Sequence, residues 1–235
     1  AFFTESDFTG DIHKYTTGIA NAFRLRGGQM LAETSVLMLK AQDDGVTITY
    51  QTGDHAPIMA AFDAIVICAG VGSRALAAQV GDRVNIYPVK GYSITVNLTD
   101  EKSQEAAPWV SLLDDKAKIV TSRLGADRYR VAGTAEFNGF NRDIRADRIK
   151  PLVDWCRAHH PGMSTRQCVP WAGLRPMMPT MLPRVGAGKS SRVFYNTGHG
   201  HLGWTLSAAT SDMVTAHIRD AIPAPAPMMP SLAAE

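Results

Sequence analysis

Two clusters in this 235-residue sequence have residue types arranged for binding rather than for filling a core. The first is Asn196-Thr197-Gly198-His199-Gly200-His201-Leu202-Gly203-Trp204-Thr205, a run of turn-forming residues leading directly into a helix-like stretch. Such a junction leaves backbone N–H groups bare at a helix N-terminus, where the macrodipole favours partial negative charge. A flavin's pyrimidine oxygen suits that position, and a plain glycine-rich turn is the alternative. The second is Trp171-Ala172-Gly173-Leu174-Arg175-Pro176-Met177, an apolar segment with one Arg that must face solvent, pair with an acid or meet an anion.

Other motifs are weaker. Gly70-Val71-Gly72-Ser73-Arg74-Ala75 fits G-x-G-x-x-A, but the acidic residue expected about 20 positions later is absent, since the chain there reads Asn85-Ile86-Tyr87-Pro88-Val89-Lys90. A tight turn passing close to a cofactor bound elsewhere is preferred over a free-standing NAD site. Gly186-Ala187-Gly188-Lys189-Ser190 ends like a P-loop, yet the first glycine would fall at Pro183, so a solvated hairpin turn is the better reading. His199 and His201 lack a carboxylate or Cys at ligand spacing, and no metal is expected. Cys68, Cys156 and Cys168 form no C-x-x-C pair and read as buried small hydrophobes; no serine occupies a G-x-S-x-G elbow.

The elements that must position these residues follow from periodicity and turn signals. Ile12 to Arg26 has helical spacing and stops at Gly27-Gly28. Met30 to Lys40, Val46 to Thr52 and Pro57 to Phe62 form a meander punctuated by Asp44-Gly45 and Gly53-Asp54. Ala64 to Ala69 is a continuous apolar run, as for a strand covered on both faces, and precedes a helix from Ser73 to Val80. Strands at Tyr92 to Leu98, Lys118 to Arg123, Asp127 to Ala132 and Arg166 to Gly173, with an amphipathic helix from Asp143 to His160, predict a second, antiparallel layer. A short strand, Val193 to Asn196, a turn, and a helix from Trp204 to about Asp220 close the chain, and the proline-rich tail from Pro223 is expected to be disordered.

Composition bounds the answer without naming it. With 45% hydrophobic and 20% charged residues and a net charge of +2, the sequence is that of a globular protein, and scattered Lys and Arg exclude a nucleic-acid stripe. No stretch reaches the 18 or so apolar residues of a membrane span, and the odd cysteine count favours a reducing cytoplasm. Because the sequence opens at Ala1 without Met, it is expected to be processed or cut from something longer.

Gly173-Leu174-Arg175-Pro176-Met177, followed by Asn196 to Gly200 and Leu202-Gly203-Trp204-Thr205, closely resembles the C-terminal half of bacterial FAD-dependent D-amino acid dehydrogenases, of the D-amino acid oxidase and glycine oxidase superfamily. Tyr87-Pro88-Val89-Lys90-Gly91-Tyr92-Ser93, Asp63 to Val66 leading to Gly70, and the Asp11 region carry the same resemblance. It implies an α/β fold: an incomplete Rossmann-like FAD-binding sheet with a β-meander (29–63), assigned to 1–86 and 186–222, joined to an antiparallel substrate sheet covered by helices at 87–185, with 223–235 as tail. It also implies oxidative deamination of D-amino acids to 2-oxo acids and ammonia, with electrons passed to a quinone or other carrier. By position Arg175 would clamp the substrate carboxylate and Tyr92 line the pocket, while Gly70, Gly198, His199, Gly200, Leu202 and Gly203 would approach the cofactor, FAD.

The family's opening G-x-G-x-x-G strand and acidic residue have no counterpart here, so a half-enzyme is expected, with a separate chain as one source of the missing segment. Where the family has Pro-Met-Thr-Pro-Asp-Gly-Thr-Pro, this chain reads Pro176-Met177-Met178-Pro179-Thr180-Met181-Leu182-Pro183. The alternatives are a related glycine, sarcosine or hydroxyproline enzyme, or a non-catalytic remnant or partner subunit. The expected location is the cytoplasm, with peripheral attachment to the inner face of the plasma membrane as the variant suited to a quinone.

Overall fold

The computed structural model describes residues 3–6 and 8–222, and the expected disordered tail from Pro223 lies outside the described residues. In chain order the elements are α1 (Ile12–Leu25), β1 (Thr34–Ala41), β2 (Val46–Thr52), β3 (Ile58–Phe62), β4 (Ile65–Ile67), a 3-10 turn at Gly70–Gly72, and α2 (Ser73–Gln79). There follow β5 (Tyr87–Asn97), α3 (Glu101–Ala106), β6 (Leu113–Asp114), β7 (Ile119–Arg123), β8 (Arg128–Glu136), α4 (Ala146–His159), β9 (Cys168–Met177), β10 (Arg184–Ala187), β11 (Val193–Thr197) and α5 (Gly203–Ala221). The fold is mixed α/β, as expected.

Two compact units divide the chain, one holding the residues up to Met30 with Tyr87–Met177, the other Leu31–Ile86 with the segment from Met178 onward. By packing, α1 therefore groups with β5 to β9 and not with residues 31–86. The reason is local: Asp11 both caps α1, accepting from His13 N at 3.0 Å and Lys14 N at 3.3 Å, and pairs with Arg128 of β8 at 3.2 Å. The apolar stripe of α1, which includes Ile12, Ile19 and Phe23, is exposed, and none of the helix's residues is buried.

The first unit is built on an antiparallel sheet of order β6-β7-β8-β5-β9. Side chains alternate along β5, so Tyr92, Ile94 and Val96 meet Leu152 and Cys156 of α4, while Val89, Gly91, Ser93 and Thr95 face the other way. Each fully buried side chain of this kind contributes roughly 1.5–3 kcal/mol. Strand β5 begins five residues before its expected start, and β8 and β9 run four residues past their expected ends, so Arg175 sits within a paired strand. Helix α4 starts at Ala146, not Asp143, because Asp143 N donates to Asn141 Oδ1 at 3.0 Å and holds a turn there. Helix α3 is polar and carries no periodic signal; it exists because the Asp100 side chain accepts from Ser103 N at 2.8 Å.

In the second unit β1, β2 and β3 form the expected antiparallel meander. Strand β4 pairs parallel with β11, and β11 pairs antiparallel with β10, giving the order β10-β11-β4. Full coverage of β4 on both faces is not observed: Ile67 is buried, but Ile65 and Val66 are half-buried. Gly186, at φ 113, obscures β10 as a strand in the sequence. The P-loop-like residues close the β10–β11 hairpin, where Lys189 Nζ donates to Gly81 O at 2.6 Å and Lys189 N to Asp82 at 3.2 Å.

Candidate functional site

In the first unit, β5 pairs with β9 through Val89↔Arg175, Gly91↔Gly173 and Ser93↔Trp171. Directly opposed residues share a face, so all six stand on the side of the sheet away from α4. The Arg175 guanidinium lies over Gly91, where an added Cβ would come within 2.2 Å of Nη1. Nη1 donates to the Thr134 carbonyl at 3.0 Å. Arg175 is half-buried, burial pulls its pKa down, and no acidic side chain among the described residues pairs with it. A desolvated guanidinium without a counterion is poised for an external anion.

Thr134 reaches Arg175 because β8 bulges. Lys90 pairs with Glu136 while Tyr92 pairs with Gly133, so one extra residue is accommodated on β8 and Thr134 adopts φ 62. A β-branched residue in the left-handed region is strained, at a cost of order 1–3 kcal/mol, and here the strain aims a carbonyl at the arginine.

Behind the bulge, on the α4 side, Tyr92 is 1% exposed and its hydroxyl donates a short hydrogen bond to the Glu136 carboxylate. Lys90, 0% exposed, lies 3.4 Å from the same Glu136 oxygen and donates to Asn141 Oδ1 at 2.8 Å and Asp143 O at 3.1 Å. Arg145 Nη1 approaches the other Glu136 oxygen at 3.2 Å. The Tyr92 hydroxyl first, then the charges of Lys90 and Arg145, hold the Glu136 carboxyl below the usual carboxylate range. Burial works against the Lys90 charge, but Tyr92 and Glu136 outweigh it and raise its pKa.

The predicted cofactor-facing residues all lie in the second unit. Gly198 at φ 77 and Gly200 at φ 58 form the turn from β11 into α5; a Cβ on Gly198 would sit 2.6 Å from Met178 Cγ. His199 Nε2 shares a hydrogen bond with Thr210 Oγ1 of α5 at 3.1 Å, and burial lowers the imidazole pKa. Leu202 stands at the N-cap of α5 without a side-chain cap, and Gly203 opens the helix. Gly70, at φ 53, begins the 3-10 turn after β4, with open space where a Cβ would point. Thr197 ties these pieces together: its Oγ1 meets Ser73 Oγ at 2.7 Å and Gly70 O at 3.5 Å. Asn196 Oδ1 is buried with no hydrogen-bond partner.

Met181 adopts φ 61 at the position where the resembled family has glycine, and its N–H donates to Met178 O at 3.0 Å, so the turn keeps a glycine-like backbone. Among the described residues no three His, Cys, Asp or Glu side chains converge as a metal site. Cys156 is buried and its thiol is pushed up to about 11 by burial, whereas Cys68 is exposed, contrary to the expectation for it. Lys90, Glu136, Arg145, Ser93 and Thr134 were not foreseen as site residues. A Lys on the inward face of an apolar strand was the one signal available for the buried pair.

The sequence profile of the FAD dependent oxidoreductase family matches residues 1–217. A D-amino acid dehydrogenase 3 of Mesorhizobium japonicum is 57% identical over 94% of this chain and 53% of its own length. A D-amino acid dehydrogenase of Rhizobium rhizogenes is 38% identical over 91% of this chain and 50% of its own. The chain thus spans about half the length of the curated relatives it matches. In fold it is similar to glycine oxidase from Geobacillus kaustophilus, with a TM-score of 0.74 at 22% identity over 87% of this chain and 53% of that one. L-proline dehydrogenase from P. horikoshii gives a TM-score of 0.76 at 14% identity over 90% of this chain and 56% of that one. An α/β architecture shared with these structures and a profile match spanning nearly the whole sequence lead to one conclusion: the chain belongs to the FAD dependent oxidoreductase family.

Proposed function

We propose that this chain carries the substrate-binding and flavin-facing residues of an enzyme that oxidatively deaminates D-amino acids. The observation that carries the reading is Arg175, a half-buried guanidinium without an acidic partner, fixed over Gly91 by the Thr134 carbonyl. The 57% identity to a D-amino acid dehydrogenase supports the substrate class.

The backbone between β11 and α5 fits the electron-rich edge of a flavin, with glycines in the left-handed region and a helix start without a side-chain cap. Gly198, His199, Gly200, Leu202 and Gly203 would hold that edge through their backbones, with Gly70 beside the cofactor. When bound, FAD supplies the acceptor for a hydride from the substrate Cα, leaving an imino acid that hydrolyses to a 2-oxo acid and ammonia. Arg175 binds the substrate carboxylate and thereby orients the Cα–H bond. Tyr92 acts as a positioning residue: its hydroxyl holds Glu136, which anchors the end of β8 and with it the bulge that presents Thr134. His199, kept neutral by burial, leaves the helix dipole as the source of positive potential at the turn.

A quinone or other carrier is the final electron acceptor, and a companion dinucleotide-binding segment, in the same or a separate chain, holds the ADP half of FAD. Contact with a membrane surface is part of the reading, since a quinone is held there; no helix among the described residues is long and apolar enough to cross a membrane.

Arg175→Met tests the reading in a completed protein, in which this chain is joined to the part of its 57% identical relative that it does not cover. Loss of charge-assisted hydrogen bonds worth about 1.5–3 kcal/mol raises KM for D-amino acids roughly 10- to 100-fold. An unchanged KM refutes the assignment.

A further inference from the structure

A second arginine occupies the same sheet face as Arg175 and is left over by the mechanism above. Arg130 of β8 stands opposite Thr95, and Thr95 opposite Val169, so Arg130 shares the face of Val89, Gly91, Ser93 and Thr95 away from α4. It is half-buried, burial alone accounts for the lowering of its pKa, and no acidic side chain among the described residues pairs with it. Its guanidinium lies 5.3 Å from the ring centroid of Trp171.

Trp171 fills the space between the two arginines. The far edge of its ring lies over Gly173, 2.1 Å from where a Cβ would be, and Gly173 is directly opposite Gly91, which carries the Arg175 guanidinium. The face therefore reads, in order, cation, aromatic slab, glycine floor, cation. Ser93, 1% exposed, is opposite Trp171, and its Oγ is buried with no hydrogen-bond partner. Val89 and Thr95, which stand opposite the two arginines on β5, are six residues apart, or about 20 Å at about 3.4 Å per residue. Two guanidinium groups leaning toward each other across that span suit a short molecule with a carboxylate at each end and methylenes between.

We propose that the substrate of this site is a D-amino acid whose side chain ends in a carboxylate, with Arg175 binding the α-carboxylate, Trp171 packing the methylenes and Arg130 binding the side-chain carboxylate. This rests on the D-amino acid reading of Arg175 and narrows it. An aromatic face and a permanently charged fork at the far end select an acidic side chain over a neutral one of equal length, because a neutral ligand would leave Arg130 desolvated and unpaired.

The test is isothermal titration of the completed protein, before FAD is added, with D-glutamate and with D-norvaline, a neutral ligand of similar length. D-Glutamate should bind at least tenfold more tightly. Arg130→Met should abolish that preference and leave D-norvaline binding within twofold of the parent, while Arg175→Met should weaken both ligands together. Equal binding of the two ligands by the parent, or a preference that survives Arg130→Met, would overturn the acidic-substrate assignment while leaving the D-amino acid reading standing. If neither ligand binds, or if Arg175→Met changes nothing, the underlying reading fails as well. Circular dichroism of each variant separates loss of a contact from loss of the fold.

Discussion

Gly91→Ala displaces Arg175 without altering it. The new Cβ would come within 2.2–2.3 Å of three guanidinium atoms, but those atoms are the far end of a flexible side chain and can move aside. Gly91 is not in the left-handed region, so alanine is compatible with its backbone. When the guanidinium swings away, its 3.0 Å charge-assisted hydrogen bond to the Thr134 carbonyl is lost, at about 1.5–3 kcal/mol. The lower entropy of the unfolded chain returns about 0.5 kcal/mol. Net stability should therefore fall by about 1–2.5 kcal/mol, and a bound carboxylate should lose about 1.5–3 kcal/mol of charge-assisted hydrogen bonding, roughly 10- to 100-fold in affinity. Urea denaturation and calorimetric titration with D-alanine measure the two quantities on one preparation. An affinity within twofold of the parent, or a stability loss above about 3 kcal/mol, would refute the argument that Gly91 exists to seat this arginine.

Three further outcomes follow from the same geometry. Glu136 is held below its unfolded pKa, so its contribution to stability is full above the unfolded carboxylate range and is lost as pH falls. The destabilisation caused by Tyr92→Phe should accordingly be largest near neutrality and shrink on acidification, and a pH-independent gap between the two melting curves would contradict it. His199 is also lowered, by burial, so the folded state binds fewer protons and stability should fall as pH drops below about 6.5; His160 acts with the same sign, and His199→Asn should flatten, not abolish, the acid limb of a Tm profile. Met181→Gly should raise stability by up to about 1 kcal/mol, since relief of left-handed strain exceeds the entropy glycine adds to the unfolded chain. A fall in Tm would mean that the Met181 side chain contributes more than its backbone costs.

Much of the fold was legible because turn chemistry and periodicity agreed with it. Asp11 before an apolar-periodic stretch and Gly27-Gly28 after it delimit α1 to within a residue, and Asp44-Gly45 separates β1 from β2 as a hairpin should. Elements held by partners instead of local signals were not legible. Strand β10 exists because β11 offers a ladder, α3 because one aspartate caps it, and β9 reaches Met177 because β5 pairs with it to the end. The same distinction divides the site. Arg175 and the glycine turn stood out by residue type, but the Thr134 bulge, the Lys90–Glu136–Arg145 cluster and the alignment of Arg130 with Trp171 depend on strand register, which a single sequence does not display.

The central claim is that Arg175 and the β11–α5 turn serve D-amino acid oxidation by bound FAD. Its most direct test is the visible flavin spectrum of the FAD-loaded, completed protein under anaerobic conditions, recorded as D-alanine or D-glutamate and then, separately, the corresponding L enantiomer is added. The flavin absorbance should be lost with the D enantiomer alone, and much more slowly in Arg175→Met. Bleaching by both enantiomers alike, or by neither, would contradict it.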